Sequence, residues 1–164
     1  MAKIYHFTGR IVREVTVFDV ANYFLRLVDA ASGSVMTHLK LQKLCFYAQA
    51  WHTVFTGNML FSQRFEAWAH GPVCPELYQQ YKSFGYQPIE ILDDLQLPDF
   101  TTEQLDTLNE VWRVYGCYDA KYLENLTHDE KPWIDARGCC SLGDKCETEI
   151  TVDAMREYYS TLLE

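Results

Sequence analysis

The chain has 164 residues, enough for one domain that buries roughly two thirds of its unfolded surface. Its 48% apolar and 23% charged residues describe a globular protein and exclude a disordered one. Fourteen Lys and Arg against 23 Asp and Glu leave a formal charge of −9. That balance argues against a duplex nucleic-acid reader, which needs a basic face to release counterions, and suits a basic protein partner.

Residues 1–15 alternate apolar and polar positions (Ile11, Val12, Val15) with no cap or stop, consistent with a strand or a loose arm. Thr16-Val-Phe-Asp19 reads as a capping box that opens a helix with Phe18, Ala21, Phe24, Leu25 and Val28 on one side, ending at Ser32-Gly33. A second helix is predicted from Thr37 or His38 to Phe55, with Gly57 as its stop. Leu41, Leu44, Cys45, Ala48, Trp51, His52 and Phe55 line one face, while Leu39, Phe46, Tyr47 and Val54 cover much of the rest. A helix apolar nearly all round is buried on several sides, so this one is expected at the centre of the fold, with Lys40 and Lys43 projecting from its exposed first turns.

Between Met59 and Ala69 the period changes to two: Phe65, Ala67 and Ala69 fall on one side, Glu66 and Trp68 on the other. A short β-hairpin or extended insertion around residues 59–73 fits, broken by Gly71-Pro72. Pro75 and Glu76 open a helix carrying Leu77, Tyr78, Tyr81 and Phe84, capped by Gly85. Residues 86–100, with Pro88 and Pro98, read as an extended surface connection. Thr101-Thr-Glu-Gln104 is a second capping box, leading Leu105, Leu108, Val111, Trp112 and Tyr115 to Gly116. Asp119 caps a short helix with Tyr122, Leu123 and Leu126. Thr127-His-Asp-Glu130 reads as a further cap before Pro132-Trp133, residues 138–149 as a loop, and Thr151 as the cap of a last helix with Met155, Tyr158, Tyr159, Leu162 and Leu163 inward. The expected fold is therefore mainly α, a single compact multi-helix domain.

No apolar run resembles a signal-peptide core or approaches the roughly 18 residues of a membrane span, so the cytoplasm is the expected compartment and no membrane partner is expected. Among the six cysteines, Cys45 reads as a small core residue. Cys139, Cys140 and Cys146 carry a hint of metal spacing but lack a paired C-x2-C, and the nearest histidine, His128, lies eleven positions before Cys139. No metal and no cofactor is assigned.

Catalytic patterns are equally sparse. Cys74 follows His70 closely, but it directly precedes Pro75, where a capping or packing role is the simpler reading. Asp93-Asp94 and Asp129-Glu130 are adjacent acids of the kind that are solvated or complement a helix dipole. His52 reads as a core histidine, and His128 as a hydrogen-bonded structural residue near Trp133. The chain contains no G-x-S-x-G, P-loop, G-x-G-x-x-G or H-E-x-x-H. It is expected not to be an enzyme. The polar and amphipathic side chains Lys40, Lys43, Tyr47, Arg64, Glu66 and Trp68 are left as candidates for a contact surface beside a strand edge that could recruit an extended peptide.

Three segments in one order resemble a known family: Leu39-Lys-Leu-Gln-Lys-Leu-Cys-Phe-Tyr-Ala-Gln-Ala-Trp51, Phe65-Glu-Ala-Trp-Ala-His-Gly-Pro-Val73 leading to Tyr78, and Leu126-Thr-His-Asp-Glu-Lys-Pro-Trp133. They look like the Panacea domain of SocA-like antitoxins, which is also found in phage-associated, GepA-type proteins. The resemblance runs over about residues 17 to 163. It implies a helical domain at 17–164 preceded by an N-terminal extension at 1–16, with Leu41, Leu44, Gly71, Pro72, Val73, His128, Pro132 and Trp133 as structural motif residues. It also implies an antitoxin that neutralises a cognate protein toxin, usually encoded next to it, by direct binding. A protease adaptor delivering the toxin to a AAA+ protease is the alternative, and an uncharacterised enzyme ranks below it. The six surface candidates would then contribute to toxin binding.

Overall fold

The computed structural model describes residues 4–7 and 10–164. The parts of the predicted N-terminal extension at 1–3 and 8–9 lie outside the described residues. Strands β1 (Ile4–Phe7) and β2 (Arg10–Arg13) pair antiparallel, Ile4 opposite Arg13 and Phe7 opposite Arg10, so the alternation near the N-terminus is that of a hairpin. Arg13 joins the hairpin to the helical body through two 2.6 Å hydrogen bonds to the Asp19 carboxylate.

Helix α1 (Val17–Arg26) opens with the predicted capping box: Asp19 N–H donates to Thr16 Oγ1 at 3.3 Å, and the Thr16 N–H donates to the Asp19 carboxylate at 2.8 Å. It stops six residues before the predicted Ser32, and Ala30–Ser32 form a separate 3-10 turn. Asp29 causes the interruption. Its carbonyl takes the Ser32 and Ser34 N–H groups and its carboxylate takes that of Ala31, a turn that competes with helix.

Helix α2 (His38–Thr56) has Thr37 as N-cap and ends at Gly57 in the left-handed conformation, φ 76°. Every residue from Leu41 to Ala50 is buried. Strands β3 (Phe65–Trp68) and β4 (Gly71–Val73) form the predicted hairpin, with Glu66 opposite Val73 and Trp68 opposite Gly71. Phe65 and Ala67 point inward, as their alternation requires. Pro72 lacks an N–H and sits on the edge strand, where no ladder bond is lost.

Helix α3 (Pro75–Tyr81) continues as a 3-10 turn to Phe84. The connection 86–100 is irregular, tied to the start of α2 by the Ile89 N–H on the Met36 carbonyl at 2.8 Å. Helix α4 (Thr102–Tyr115) opens on the second capping box, Thr101 with Gln104. Helix α5 (Ala120–His128) has Asp119 as N-cap, and its Tyr122 is exposed and stacked on Tyr118 at 4.0 Å, not inward as its spacing suggested.

Helix α6 (Lys131–Arg137) has Glu130 as its N-cap, three residues after the predicted Thr127. The Thr127 hydroxyl donates instead to the Glu124 carbonyl, inside α5. Strand β5 (Glu149–Ile150), which begins on the last residue of the predicted loop 138–149, pairs Ile150 with Phe65 and completes a three-stranded sheet in the order β4-β3-β5. Helix α7 (Val152–Ser160) buries Met155 and Tyr159, while Leu162 and Leu163 beyond it are exposed, contrary to expectation.

Helices α1, α3, α4, α5 and α7 and strand β4 all pack on α2, which is the central element. Among the described residues the fold is mainly α, seven helices around one core with the small sheet on one side. No helix among them is long and apolar enough to cross a membrane.

Candidate functional site

A helix buried along its middle must satisfy the polar side chains it carries there from within the fold. Gln42, Gln49, His52 and Lys43 of α2 do so, each on a different neighbour. Gln42 bonds the Cys74 backbone in both directions, accepting from its N–H at 2.8 Å and donating to its carbonyl at 3.2 Å. Gln49 holds the chain after α2 in the same way, accepting from Leu60 N–H at 2.8 Å and donating to the Phe61 carbonyl at 2.6 Å. His52 Nδ1 meets Thr107 Oγ1 of α4 at 3.0 Å. Lys43, wholly buried, donates from Nζ to the Pro72 carbonyl at 3.1 Å. Sequence reasoning passed over Gln42 and Gln49. The signal available was a pair of amides on a helix with no polar face.

The Lys43 contact is where the three motif segments meet. Gly71 lies between Lys43 of α2 and Thr127 of α5, with φ 99°, and a Cβ there would fall 2.6 Å from Lys43 Cε and 2.7 Å from Thr127 Oγ1. Next to Thr127, His128 stacks on Trp133 of α6 at 4.0 Å, and Trp133 Nε1 donates to the Trp68 carbonyl at 2.8 Å. Pro132 and Trp133 are buried in the first turn of α6. Arg137, at the end of that helix and also buried, bonds the carbonyls of Ala67, Asp144 and Ser141 at 3.0, 3.1 and 2.5 Å. It pins the 139–146 loop to the sheet.

The electrostatics follow from burial. Desolvation lowers the Lys43 ammonium to about 7 against the opposing charge of Glu124. It also lowers His38 to about 4, with the Lys43 charge acting in the same direction. Burial would raise Glu124, but a 3.1 Å hydrogen bond from His70 Nδ1 and the Lys121 charge outweigh it and hold that carboxyl below its ordinary range. His70 is therefore engaged by Glu124. Cys74 is buried, and desolvation raises its thiol, the opposite of what an activated nucleophile needs.

A second buried cluster surrounds Tyr47. Its ring stacks on Tyr115 at 4.0 Å and 6°, its hydroxyl donates to Glu130, and Trp51 Nε1 donates to the Tyr115 hydroxyl at 2.9 Å. Burial raises the Glu130 carboxyl to about 7, although the Tyr47 hydrogen bond opposes the shift. A carboxyl whose folded pKa lies above its unfolded value stabilises the fold at low pH and loses that contribution as pH rises through the folded pKa. Glu130→Gln does not titrate. Its stability relative to the wild type should accordingly improve by up to about 3 kcal/mol between pH 4.5 and pH 8, measured by urea denaturation. A difference constant with pH would contradict this assignment.

The six surface candidates do not form one face. Lys43 and Tyr47 are buried, because β4 and α5 cover Lys43 and Tyr159 of α7 packs on Tyr47, so neither can touch a partner. Lys40 is half-buried and donates to the Gly116 carbonyl at 2.7 Å. Arg64 is exposed, 3.6 Å from Glu149, and lines a polar cavity of about 520 Å³ with Thr53 and Arg156. Thr53 is thirteen residues beyond Lys40, roughly 20 Å along the helix axis. Glu66 and Trp68 lie half-buried on the outer sheet face, bonded to each other at 2.6 Å. Cys146 is buried and donates to Thr148 Oγ1 at 3.4 Å, whereas Cys139 and Cys140 are exposed.

No curated protein and no solved structure matches the chain. A model of the antitoxin SocA-like family, Panacea domain, matches residues 41–134, a narrower span than the resemblance over 17 to 163. That span runs from the buried half of α2 through the Gly71-Pro72 hairpin to Trp133, the residues that meet around Lys43. The protein belongs to the SocA-like antitoxin family and carries its Panacea domain.

Proposed function

We propose that this protein is an antitoxin that neutralises a cognate protein toxin by binding it directly. Family membership over residues 41–134 is the observation that carries the reading. The motif residues around Lys43 and Gly71 are interior and build the scaffold, so recognition falls to the surface, where an excess of nine acidic charges favours a basic partner. The reading assigns no reaction to the chain.

The test is a toxicity rescue. An open reading frame flanking this gene is induced in a naive bacterial host with and without this protein, and the two products are co-purified. Growth arrest relieved by this protein, with a stoichiometric complex, is the expected result. Arrest that this protein does not relieve would refute the proposal. Relief that needs an intact AAA+ protease, with the toxin disappearing, would replace direct blocking by adaptor-mediated delivery.

A further inference from the structure

At the C-terminal end of α2 the apolar surface is open. Trp51 stacks on Phe55 at 5.6 Å and is fixed from below by its bond to Tyr115. With Val114 of α4 and Leu163 they line an apolar groove of about 200 Å³. Phe55 is 48% exposed, Val114 38% and Leu163 61%, so the groove keeps large hydrophobic side chains in water.

Phe55 and Glu110 also line a neighbouring depression of about 350 Å³, together with Glu103 and Asp106. Spacings of three and four residues put these three acids on one side of α4. Arg113 is bonded to Glu110 at 2.9 and 2.5 Å, but among the described residues no Lys or Arg lines either depression. The result is an apolar slot continuous with an acidic stripe.

The geometry points to this slot and stripe as the docking surface for the toxin, with a basic amphipathic segment as the occupant. Apolar side chains at helical spacing would seat on Phe55, Val114 and Leu163, and Lys or Arg side chains would lie over Glu103 and Asp106. The inference rests on the antitoxin reading and names the surface that reading requires. Charge selects the occupant. A second copy meeting this face by two-fold symmetry would set one acidic stripe against the other, and an anionic membrane is repelled by the same charges.

The test titrates the purified product of the flanking toxin gene into the full chain by calorimetry. Val114→Glu should weaken binding at least 100-fold with an unchanged melting temperature, since the side chain is already partly in water. Glu103→Lys combined with Asp106→Lys should weaken it at least 30-fold and flatten its salt dependence. Arg64→Glu, on the polar cavity near α7, should stay within threefold of the wild type. Tight wild-type binding with both groove variants within threefold would overturn the surface and leave the antitoxin reading standing. Wild-type protein that binds neither flanking product would overturn the antitoxin reading, and this occupant with it.

Discussion

Gly71→Ala should destabilise the fold by about 3 kcal/mol or more, a large part of the roughly 5–15 kcal/mol by which a domain is ordinarily stable. Two effects add. The backbone at Gly71 has φ 99°, which an L side chain rarely adopts. The new methyl group would also meet Lys43 Cε and Thr127 Oγ1 inside van der Waals contact. Neither neighbour can yield cheaply. Lys43 has no exposed surface to move into and holds the Pro72 carbonyl, while the Thr127 hydroxyl is bonded to Glu124.

Gly57→Ala is the matched control. Its φ of 76° is also left-handed, but nothing lies within 4 Å of the added carbon, so about 1 kcal/mol is expected. Chemical denaturation of the two variants separates strain from collision. Equal costs would mean that the close approach at Gly71 is relieved by a small backbone shift.

Lys43→Met should change the pH dependence of stability more than stability itself. The folded pKa of Lys43, about 7, lies below its ordinary 10.5, so between these values the unfolded chain binds more protons than the native protein. Wild-type stability therefore gains from this residue as pH rises from 7, by about 2 kcal/mol up to pH 8.5. Above roughly pH 9 the sign reverses, because burial raises Cys45, Tyr47 and Tyr159, which keep protons that the unfolded chain releases.

Methionine keeps the length of the stem and removes the charge. It leaves the Pro72 carbonyl without that donor, at about 1–3 kcal/mol. The advantage of Lys43→Met over the wild type should be larger at pH 7 than at pH 8.5 by about 2 kcal/mol in paired denaturation curves. A difference that does not vary with pH would show that Lys43 stays charged in the folded protein throughout that range, as it is in the unfolded chain.

Element boundaries were legible where the deciding hydrogen bonds are local. Thr16 with Asp19, Thr101 with Gln104, Thr37, Thr151 and the Gly57 stop each satisfy or terminate a backbone a few residues away, so the signal lies within one short window. The same logic hid the true end of α1, where the Asp29 turn intervened, and the start of α6, where the Thr127 hydroxyl turned to its own helix. Strand β5 left no local trace. Two residues carry no period, and only the free edge of β3 makes them a strand.

Burial was legible for most apolar positions and misleading at the chain's end and for several polar and aromatic residues. Leu162, Leu163 and Tyr122 have inward spacing, yet nothing covers them fully, and Leu163 is part of the open groove. Lys43 and Tyr47 bear polar groups and were placed outside, yet both are in the core. The sequence by itself determined a mainly α chain, a central helix with no polar face, and the three motif segments that mark the family. Tertiary structure alone decided that Lys43 is interior, that Gly71 admits no side chain, and that an apolar slot beside acids stays open. The physical reason is that helix caps and periods depend on neighbours in sequence, whereas the free energy of burying an ammonium or exposing a phenyl ring depends on groups that arrive from distant segments. For Lys43 those groups are the Pro72 carbonyl and the Glu124 carboxylate, 29 and 81 positions away along the chain.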